Sequence, residues 1–421
     1  MAAIVRTATV DTVACVLAGR TEPATRFVSD WAQRRFAPAH DASVLFSPGV
    51  RMQSGGAALV NAVSGHALDY DDVALAGHPS VVLATAVWAE HERTGVKGFD
   101  LVQAYAKGYA VWAELLRRQT ISLHAHGWHP TAIFGVVACA AAVAALRGLS
   151  ASGCQHAMGI AASMAGGVVA NFGSMTKPLQ VGRAAEGGIA AADLAQAGFT
   201  ASPDALEGPA GYLRALAGGH AVDLEGPCAD DAAETLLRTP PGIKKYPVCY
   251  AAHRVVDGVL DLARQHDIQP NDIASVDASI SKTTAGVLRH HAPTSVSEAR
   301  FSLEYCVAAA LLRRSLGLAD VSAALVADPT IRRLMPLVRT QTVDTRCPIE
   351  PSFALHDRVT ITLMDGTLLD SGDRRFARGH AELPLDEAAL REKFFGCAGP
   401  RDRVMAESLL ERITQALETT P

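Results

Sequence analysis

An alanine-rich pattern of helices, punctuated by glycine and proline, covers residues 4–224 and sets the fold class. Alanine has the highest helix propensity, and alanine-rich helices pack closely. Apolar residues at spacings of three and four predict an amphipathic helix over 99–117. Ser150 opens a further predicted helix, which continues past Met164. The first part of the chain is therefore predicted to be an all-helical domain.

The pattern changes after Gly242. Apolar and polar residues alternate over 276–281 and again over 358–363, which predicts two half-buried strands. Asp365 and Gly366 follow the second strand, and Asp-Gly is a strong signal for a β-hairpin turn. The second part of the chain is therefore predicted to contain a sheet.

Helices are also predicted over 297–314, between the strands, and over 386–419, at the end of the chain. The sequence thus predicts a mainly α protein. Its large all-helical domain would carry a smaller α+β lid domain inserted before the last helix. The predicted limits are 1–242 plus 383–421 for the helical domain and 243–382 for the lid domain.

Composition excludes several classes of protein. The formal net charge is −5 and the basic residues are scattered, whereas a nucleic-acid partner needs a basic patch. Eight cysteines form no CxxC pair, so we expect reduced thiols and a cytoplasmic location. The apolar run 131–146 is shorter than the roughly 20 residues of a membrane span. It predicts a buried helix, and we expect neither a signal peptide nor a membrane partner.

The densest polar cluster lies in residues 65–80. Three acids and two histidines fall within the 13 residues from His66 to His78. Such a cluster is costly to bury unless its members pair. One alternative is a hydrogen-bonded helix end that joins two helices. Another is a Mg²⁺ or carbocation site at Asp69, Asp71 and Asp72, but such a site needs an aromatic-lined cavity and aromatic residues make up only 5%.

Two His-Pro pairs, at His78 and His129, each predict a helix start. Proline is favoured at the first helical position, which places each histidine at the N-cap. The amide dipoles there attract anions and disfavour an imidazolium. A neutral imidazole beside an anion site is suited to moving protons for a carboxylate substrate. Simple capping is the alternative, and a zinc site formed by His124, His126 and His129 is a further one, although no fourth ligand is evident.

Two other segments carry candidate residues. Lys177 lies in a glycine-containing turn, and a buried lysine can anchor a carboxylate. The turn resembles a phosphate-binding loop only superficially, and a solvated loop lysine is the alternative. His253 begins a helical pattern in the segment 244–253, where a core histidine is the default interpretation. Cys249 would be a nucleophile only if a base activated it, and it is otherwise a small buried apolar residue.

Taken together, these segments resemble the MmgE/PrpD family, which includes 2-methylcitrate dehydratase, cis-aconitate decarboxylase and iminodisuccinate epimerase. The resemblance implies a homodimer that needs no metal or organic cofactor and acts on a small polycarboxylate. The matching strings occur in the same order over most of the chain and are 65–72, 77–80, 127–135, 159–188, 244–253 and 298–305.

The resemblance also implies roles for individual residues. His129 would transfer protons, Lys177 would anchor a carboxylate and His78 would be the second acid/base or anion contact. Asp69 would orient a neighbouring histidine. The catalytic candidates are therefore Asp69, His78, His129, Lys177 and His253, and the substrate-binding candidates are Ser174, Thr176, Lys244, Cys249 and Tyr305.

The chain departs from the family pattern at some positions. Val73 stands where the decarboxylase members have threonine, and Cys249 stands where they have histidine. The strings around Lys177 and His129 are closer to the epimerase, and the chain starts inside the first helix that the family pattern implies. From the resemblance as a whole we nevertheless expect a lyase that removes water or CO₂ from a polycarboxylate such as 2-methylcitrate or cis-aconitate. The alternatives are an epimerase of an iminodisuccinate-like dicarboxylate and a non-catalytic family member.

Overall fold

A computed structural model describes residues 1–228 and 231–418. The chain divides into two compact units: Met1–Ile243 with the segment that begins at Asp386, and Lys244–Leu385. We call them the helical unit and the α+β unit. The domain limits given above stay a prediction, since contacts within one chain do not show which parts fold independently. The end of the predicted last helix, at 419, lies outside the described residues.

The helical unit consists almost entirely of helices. A two-residue antiparallel strand pair, β1 (Ala42–Ser43) and β2 (Arg51–Met52), is its small sheet. The helices are α1 (Ala2–Gly19), α2 (Pro23–Phe36), α3 (Ser54–His66), α4 (Pro79–Thr94), α5 (Phe99–Arg118), α6 (Pro130–Leu146), α7 (Ala151–Met164), α8 (Thr176–Gln196), α9 (Tyr212–Ala217), α10 (Ala232–Arg238), α17 (Glu387–Ala398) and α18 (Arg403–Leu417).

Helix α6 lies at the centre of the helical unit, where it packs against α4, α5, α7 and α8. It is buried from Pro130 to Ala144, which agrees with a helix that is apolar on every side. Small residues bring its neighbours close. A Cβ added at Gly188 of α8 would lie 2.4 Å from the Cβ of Cys139, so only glycine fits there. The apolar run 131–146 is thus a buried helix, as predicted.

One helix in the described part of the chain, α1, has the length and hydropathy of a membrane span. Within that stretch, 67% of the residues are buried inside the fold. The core helices of folded proteins are buried in the same way and can have the same length and hydropathy as a membrane span.

The α+β unit is built on a four-stranded sheet with the order β4-β3-β5-β6. The strands β3 and β4 are parallel, and the other neighbours are antiparallel. Its strands are β3 (Ile273–Ser281), β4 (Val338–Val343), β5 (Arg358–Leu363) and β6 (Leu368–Asp370). Its helices are α11 (His253–Gln265), α12 (Lys282–Val287), α13 (Val296–Ala299), α14 (Leu303–Arg313), α15 (Ala323–Val326) and α16 (Pro329–Leu334).

The apolar face of this sheet packs against α11 and α14. Val276, Ala278 and Ile280 of β3 are buried, while the residues between them are partly exposed. The alternation predicted for β3 and β5 is therefore confirmed, and so is the hairpin, where Gly366 adopts a φ of 87° between β5 and β6. The mainly α architecture with a smaller α+β part is confirmed as well.

Predicted helix limits were wrong in three places. The helix opened by Ser150 ends at Met164 instead of continuing, because the Gly166-Gly167 pair follows and Gly167 has a φ of 153°. The predicted helix 386–419 is two helices, α17 and α18. Gly399, with a φ of 74°, and the proline after it separate them.

The predicted helix 297–314 is also broken, into α13 and α14. Ser302 causes the break, because its backbone is extended and its hydroxyl accepts a hydrogen bond from the backbone N–H of Tyr305. This is the geometry of an N-cap, so a new helix starts at Leu303. Serine competes with the helical backbone in this way when its hydroxyl reaches an amide of the next turn.

A buried ion pair ties the C-terminal helices to the N-terminal ones. Lys393 Nζ of α17 lies 2.6 Å from the Asp11 carboxylate of α1 and donates to the backbone oxygen of Tyr70 at 2.8 Å. Burial alone would lower the pKa of Lys393, but the charge of Asp11 raises it above the usual value. The lysine is therefore a permanent cation. Because Tyr70 lies inside the acidic cluster, this cation also holds that loop.

Replacing the cation is predicted to destabilise the helical unit strongly. Lys393→Met would leave Asp11 charged and buried without its cation, so we expect the free energy of unfolding to fall by about 3–5 kcal/mol. Chemical denaturation followed by tryptophan fluorescence measures this, since the four tryptophans all lie in the helical unit.

Two further variants complete this test. Arg238→Met breaks the exposed pair with Glu234 and should change the free energy of unfolding by no more than about 0.5 kcal/mol. Asp11→Leu combined with Lys393→Met removes both charges and should recover most of the loss. Equal effects of Lys393→Met and Arg238→Met would contradict a structural role for the buried pair.

Candidate active site

The N-terminal ends of α4, α6 and α8 supply the main candidate residues. His78 is the N-cap of α4, His129 is the N-cap of α6 and Lys177 is the second residue of α8. The backbone N–H of His78 donates to Thr131 Oγ1 at 3.2 Å, which joins the starts of α4 and α6. Within the described residues neither imidazole caps its helix, so the capping alternative is not supported.

The loop between α3 and α4 adopts backbone conformations that are unusual for its residues. Asp69, Leu75 and Ala76 have φ values of 53°, 49° and 59°. Non-glycine residues rarely adopt this region, and they persist there when the surroundings hold them. Trp112 Nε1 donates to the Leu75 oxygen at 3.1 Å, and a Cβ at Gly77 would lie 2.8 Å from the Trp112 ring. The turn is thus packed tightly against α5.

Asp69 connects Lys177 with His78. Lys177 Nζ donates a short hydrogen bond to Asp69 Oδ1, and both side chains are almost fully buried. His78 Nε2 lies 3.7 Å from the same oxygen. The interpretation of Lys177 as a solvated loop residue is therefore wrong, because its ammonium is buried and paired.

Asp71 lies between two histidines. Its carboxylate is 2.9 Å from His66 Nδ1 and 3.4 Å from His78 Nδ1, and the two rings are 4.6 Å apart. His78 Nδ1 also lies 2.8 Å from the backbone oxygen of Asp72. A carbonyl accepts only, so His78 Nδ1 carries a proton. The ring orientation of His78 is therefore fixed by the acidic loop, with Nε2 directed towards Asp69.

Asp72 belongs to a separate network. It accepts hydrogen bonds from the hydroxyl and the N–H of Ser80, whose hydroxyl also contacts Tyr105 Oη at 2.5 Å. Burial raises the pKa of Asp72 well above its usual value, although the Ser80 hydrogen bond acts against this. The three acids thus have three different sets of partners, and this does not support a Mg²⁺ site formed by them.

His129 is the candidate with the clearest proton-transfer geometry. It is 2% exposed, and its Nδ1 lies 2.7 Å from Gln180 Oε1. Its Nε2 is buried and has no hydrogen-bond partner among residues 1–228 and 231–418. Burial lowers the pKa of His129 well below its usual value, and the charges of Lys177 and His66 lower it further. The imidazole is therefore neutral, with an available lone pair.

The Phe172 ring contacts both His129 and Lys177. The His129 ring meets it edge-on with centroids 4.8 Å apart, and Lys177 Nζ lies 4.9 Å from its centroid. A cation over an aromatic face is stabilised by the ring quadrupole. His124 contacts the same ring at 5.5 Å, and burial followed by the charge of Lys177 lowers the pKa of His124.

The structure does not bring the three histidines of the zinc alternative to a common point. His126 is exposed, with Nδ1 3.0 Å from the Ser122 oxygen and its ring against His220, while His129 Nδ1 faces Gln180. Among the described residues, a compact group with metal-ligand chemistry consists of His66, Asp71 and His78, whose ligand atoms lie within 4.8 Å of one another. The hydrogen bonds between these side chains and the loop account for that spacing.

The remaining candidates on the helical unit lie in the turn before α8. Ser174 is exposed, and its hydroxyl donates to the Asn171 oxygen at 2.7 Å and accepts from the N–H of Thr176 at 3.2 Å. Thr176 is partly buried as the first residue of α8. Ser174 thus shapes the turn that positions Lys177, and substrate binding by Ser174 and Thr176 stays a prediction.

His253 and Cys249 lie in the core of the α+β unit. His253 begins α11, as predicted, and it is fully buried, with its ring 5.1 Å from those of Tyr246 and Tyr250. Cys249 is buried, and its N–H donates to the Arg300 oxygen at 2.8 Å. These surroundings are those of core residues, so their roles at a substrate stay a prediction.

Tyr305 and Lys244 also lie in the α+β unit. Tyr305 is buried in α14, and its hydroxyl donates to the Asp320 oxygen at 2.8 Å. Burial raises the pKa of Tyr305 above its usual value. Lys244 is buried at the first position of the unit. The Tyr305 hydroxyl therefore already has a structural use, and substrate binding by either residue stays a prediction.

Three residues next to the candidates were not predicted from the sequence. The His66 ring contacts the rings of His78 and His129. Phe172 contacts His129 and Lys177, and Gln180 forms a hydrogen bond with His129. Gln180 follows Lys177 by three positions on α8, a spacing that places both on one helix face. That spacing is a usable signal, whereas nothing in the sequence links Phe172 to His129.

Two family models and several known proteins match this chain. The N-terminal domain model of the MmgE/PrpD family matches residues 1–225, and its C-terminal domain model matches residues 246–419. The chain is 30% identical to cis-aconitate decarboxylase of Mus musculus over 82% of this chain and 72% of that protein. It is 28% identical to cis-aconitate decarboxylase of Homo sapiens over 91% of this chain and 80% of that protein.

A fungal relative is matched over a shorter stretch. Cis-aconitate decarboxylase of Aspergillus terreus (strain NIH 2624 / FGSC A1156) is 28% identical over 58% of this chain and 52% of that protein. Matches to both domains of the family cover most of the sequence. The chain therefore belongs to the MmgE/PrpD family.

The low pKa of His129 makes a prediction about stability and pH. In the unfolded chain histidine titrates near pH 6.5, so below that pH the unfolded state binds a proton that the folded state excludes. Stability must then fall as the pH falls, by at most about 1.4 kcal/mol per pH unit for one proton. His129→Asn should remove this part of the slope.

Denaturation at a series of pH values from 5 to 7 gives both slopes. His40→Asn, at an exposed position of the same unit, is the control and should leave the slope as it is. An identical slope for wild type and His129→Asn would mean that His129 is not held neutral.

Proposed function

We propose that this protein is a lyase that needs no cofactor and removes water or CO₂ from a small polycarboxylate by histidine-mediated proton transfer. The observation that carries the proposal is the state of His129. Its Nε2 is buried, has no hydrogen-bond partner within the described residues and belongs to a ring whose pKa is depressed. A neutral imidazole with a free lone pair is a competent general base.

Removal of a proton next to a carboxylate needs positive charge nearby. The carbanion that forms spreads its charge onto the carboxylate oxygens, and fixed dipoles and cations stabilise it best. Lys177 supplies a cation that contacts the same Phe172 ring as His129, and the N-terminal ends of α4, α6 and α8 supply amide dipoles. These groups support a polycarboxylate as the substrate.

His78 and Asp69 suit the second half of such a reaction. In a dehydration, the C–H bond gives its proton to His129 and its electron pair to the new double bond. The hydroxyl leaves with a proton from an acid, for which the imidazolium form of His78, with its Nε2 beside Asp69 Oδ1, is the candidate. In a decarboxylation, the C–C bond to the carboxylate breaks, CO₂ leaves and the carbanion takes a proton from an imidazolium.

The two lyase reactions place opposite demands on His129 at rest. Dehydration starts with removal of a proton by a base, whereas decarboxylation ends with delivery of a proton to the carbanion by an acid. The depressed pKa of His129 favours a reaction that starts by abstraction. The decarboxylase relatives favour loss of CO₂, and an anionic substrate beside His129 would favour its protonation. The substrate experiment below separates the two.

An isomerase of a related dicarboxylate is the second candidate. The favouring observation is Val73, whose side chain has no hydroxyl where the decarboxylase members have threonine. The backbone of Val73 pairs with Gly242, so its position next to the acidic loop is fixed. Epimerisation would then need one group that removes the proton and a second that delivers a proton to the opposite face of the carbanion, roles for which His129 and His78 are candidates.

Proton NMR in deuterated water distinguishes these reactions. The purified protein is incubated separately with cis-aconitate, 2-methylcitrate and iminodisuccinate. Loss of water or CO₂ with a new vinylic signal is the expected result for the lyase. Deuterium uptake without loss of either supports the isomerase, and unchanged spectra with all three substrates would contradict the proposal.

His129 should be indispensable for whichever reaction is found. His129→Asn is expected to lower kcat by about 10²–10⁴-fold, the usual contribution of a general acid or base. His126→Asn, three positions earlier and exposed, is the matched control and should retain wild-type kcat. Similar rates for both variants would remove His129 from the mechanism.

A test of Lys177 needs a double variant, because Lys177 neutralises the buried carboxylate of Asp69. Lys177→Met alone would leave a buried carboxylate without its cation and lower stability as well as activity. Lys177→Met combined with Asp69→Asn removes both charges, so a loss of kcat/KM beyond that of Asp69→Asn alone, in a stably folded double variant, would reflect the lost cation. Activity of the enzyme after dialysis against EDTA tests the predicted independence from metals. The homodimer and the cytoplasmic location remain predictions.

A further inference from the structure

The side chain of Gln180 lies between the His129 ring and the backbone of Val168. Its Oε1 lies 2.7 Å from His129 Nδ1, and its Nε2 donates to the backbone oxygen of Val168 at 3.2 Å. A carbonyl oxygen cannot donate, so the amide nitrogen of Gln180 must face Val168. Its oxygen must then face His129, and a hydrogen bond forms only if Nδ1 holds the proton.

We propose that Gln180 is a positioning residue that holds His129 in the Nδ1–H tautomer, which leaves the lone pair of Nε2 directed at the substrate. This inference rests on the proposed function in one respect, the assignment of Nε2 as the base. The tautomer itself follows from the hydrogen bonds alone.

The segment around Gly167 fixes both partners at once. The Gly167 oxygen accepts from the backbone N–H of His129 at 3.0 Å, and the next residue, Val168, holds the Gln180 amide. A Cβ at Gly167 would lie 2.8 Å from the Cβ of Ala132 and 3.3 Å from Gln180 Oε1. Gly167 therefore lets this segment approach α6 and α8 together, so neither His129 nor the amide can turn independently.

The opposite tautomer is disfavoured in this arrangement. With the proton on Nε2, the lone pair of Nδ1 would face the lone pairs of Gln180 Oε1, and a buried hydrogen bond would be lost. A hydrogen bond of ordinary strength shifts such an equilibrium about tenfold. Because Nε2 has no partner within 1–228 and 231–418, no described contact compensates the loss.

An uncharged partner also suits the charges around His129. The groups that face it are Lys177 from α8, His66 from α3 and His124 from the loop before α6. Lys177 and His66 keep the ring neutral, and an amide orients it without adding negative charge. A carboxylate at position 180 would instead stabilise the imidazolium and abolish the free lone pair at neutral pH.

The tautomer can be observed directly in the wild-type protein. Long-range ¹H–¹⁵N spectra of protein labelled with ¹⁵N-histidine distinguish a protonated ring nitrogen from an unprotonated one. The signals absent from His129→Asn identify His129 among the 15 histidines. We expect a protonated Nδ1 and an unprotonated Nε2. A protonated Nε2 would overturn the proposal.

Substitution of Gln180 provides the functional test. Gln180→Glu should move the acidic limb of the kcat/KM profile to higher pH by roughly one unit or more, because a carboxylate raises the pKa of a neighbouring imidazole. Gln196→Glu makes the same change at an exposed position of α8 and should leave the limb unmoved. A stably folded Gln180→Glu variant with the wild-type limb would contradict a direct effect on His129.

A third variant, Gln180→Met, tests the proposal if Gln180→Glu does not fold. Gln180→Met keeps the length of the side chain without an acceptor, so His129 should populate both tautomers in the spectra and kcat should fall more than KM changes. A wild-type tautomer in this variant would assign Gln180 a packing role only. The spectra need no substrate, so they decide the tautomer even if none of the three polycarboxylates is turned over.

Discussion

The buried contact between Lys177 and Asp69 is the interaction on which the candidate site depends. It takes an ammonium and a carboxylate out of water, and such a pair is maintained only where both charges are held in place. Asp69 stands in a left-handed conformation that its own backbone does not favour, so Lys177 also stabilises the turn. The start of α8 and the loop after α3 are therefore fixed relative to each other.

The same charges give the two candidate histidines different surroundings. His78 lies beside Asp69 and Asp71, whereas His129 is buried beside Lys177 and bonded to an amide. The surroundings of the His78 ring are negative, whereas those of the His129 ring are apolar and positive, and the pKa of His129 is lowered. Pairs of titratable groups whose surroundings differ in this way are suited to acid and base roles. The chain belongs to the MmgE/PrpD family, and its relatives include cis-aconitate decarboxylases, which agrees with such roles.

The sequence predicted the features of the site that depend on neighbouring residues in the chain. His78 and His129 are N-caps because a proline follows each, and the density of acids before His78 predicted that these side chains pair. Gln180 and Phe172 were not predicted, because their contacts with His129 join segments that only packing brings together. The breaks at Ser302 and Gly399 were missed because a side-chain cap and a left-handed backbone conformation ended helices whose apolar pattern continues.

By itself, the sequence determined the mainly α architecture, the starts of α4 and α6 and the alternation of the strands, since each follows from propensity and local patterning. Tertiary structure alone decided that Lys177 pairs with Asp69, that the three acids have different sets of partners and that His129 Nδ1 faces Gln180. The physical reason is that proton affinity and tautomer depend on burial and on charges within a few ångströms. Those neighbours come from α3, α6 and α8, and only the packed helices set their distances.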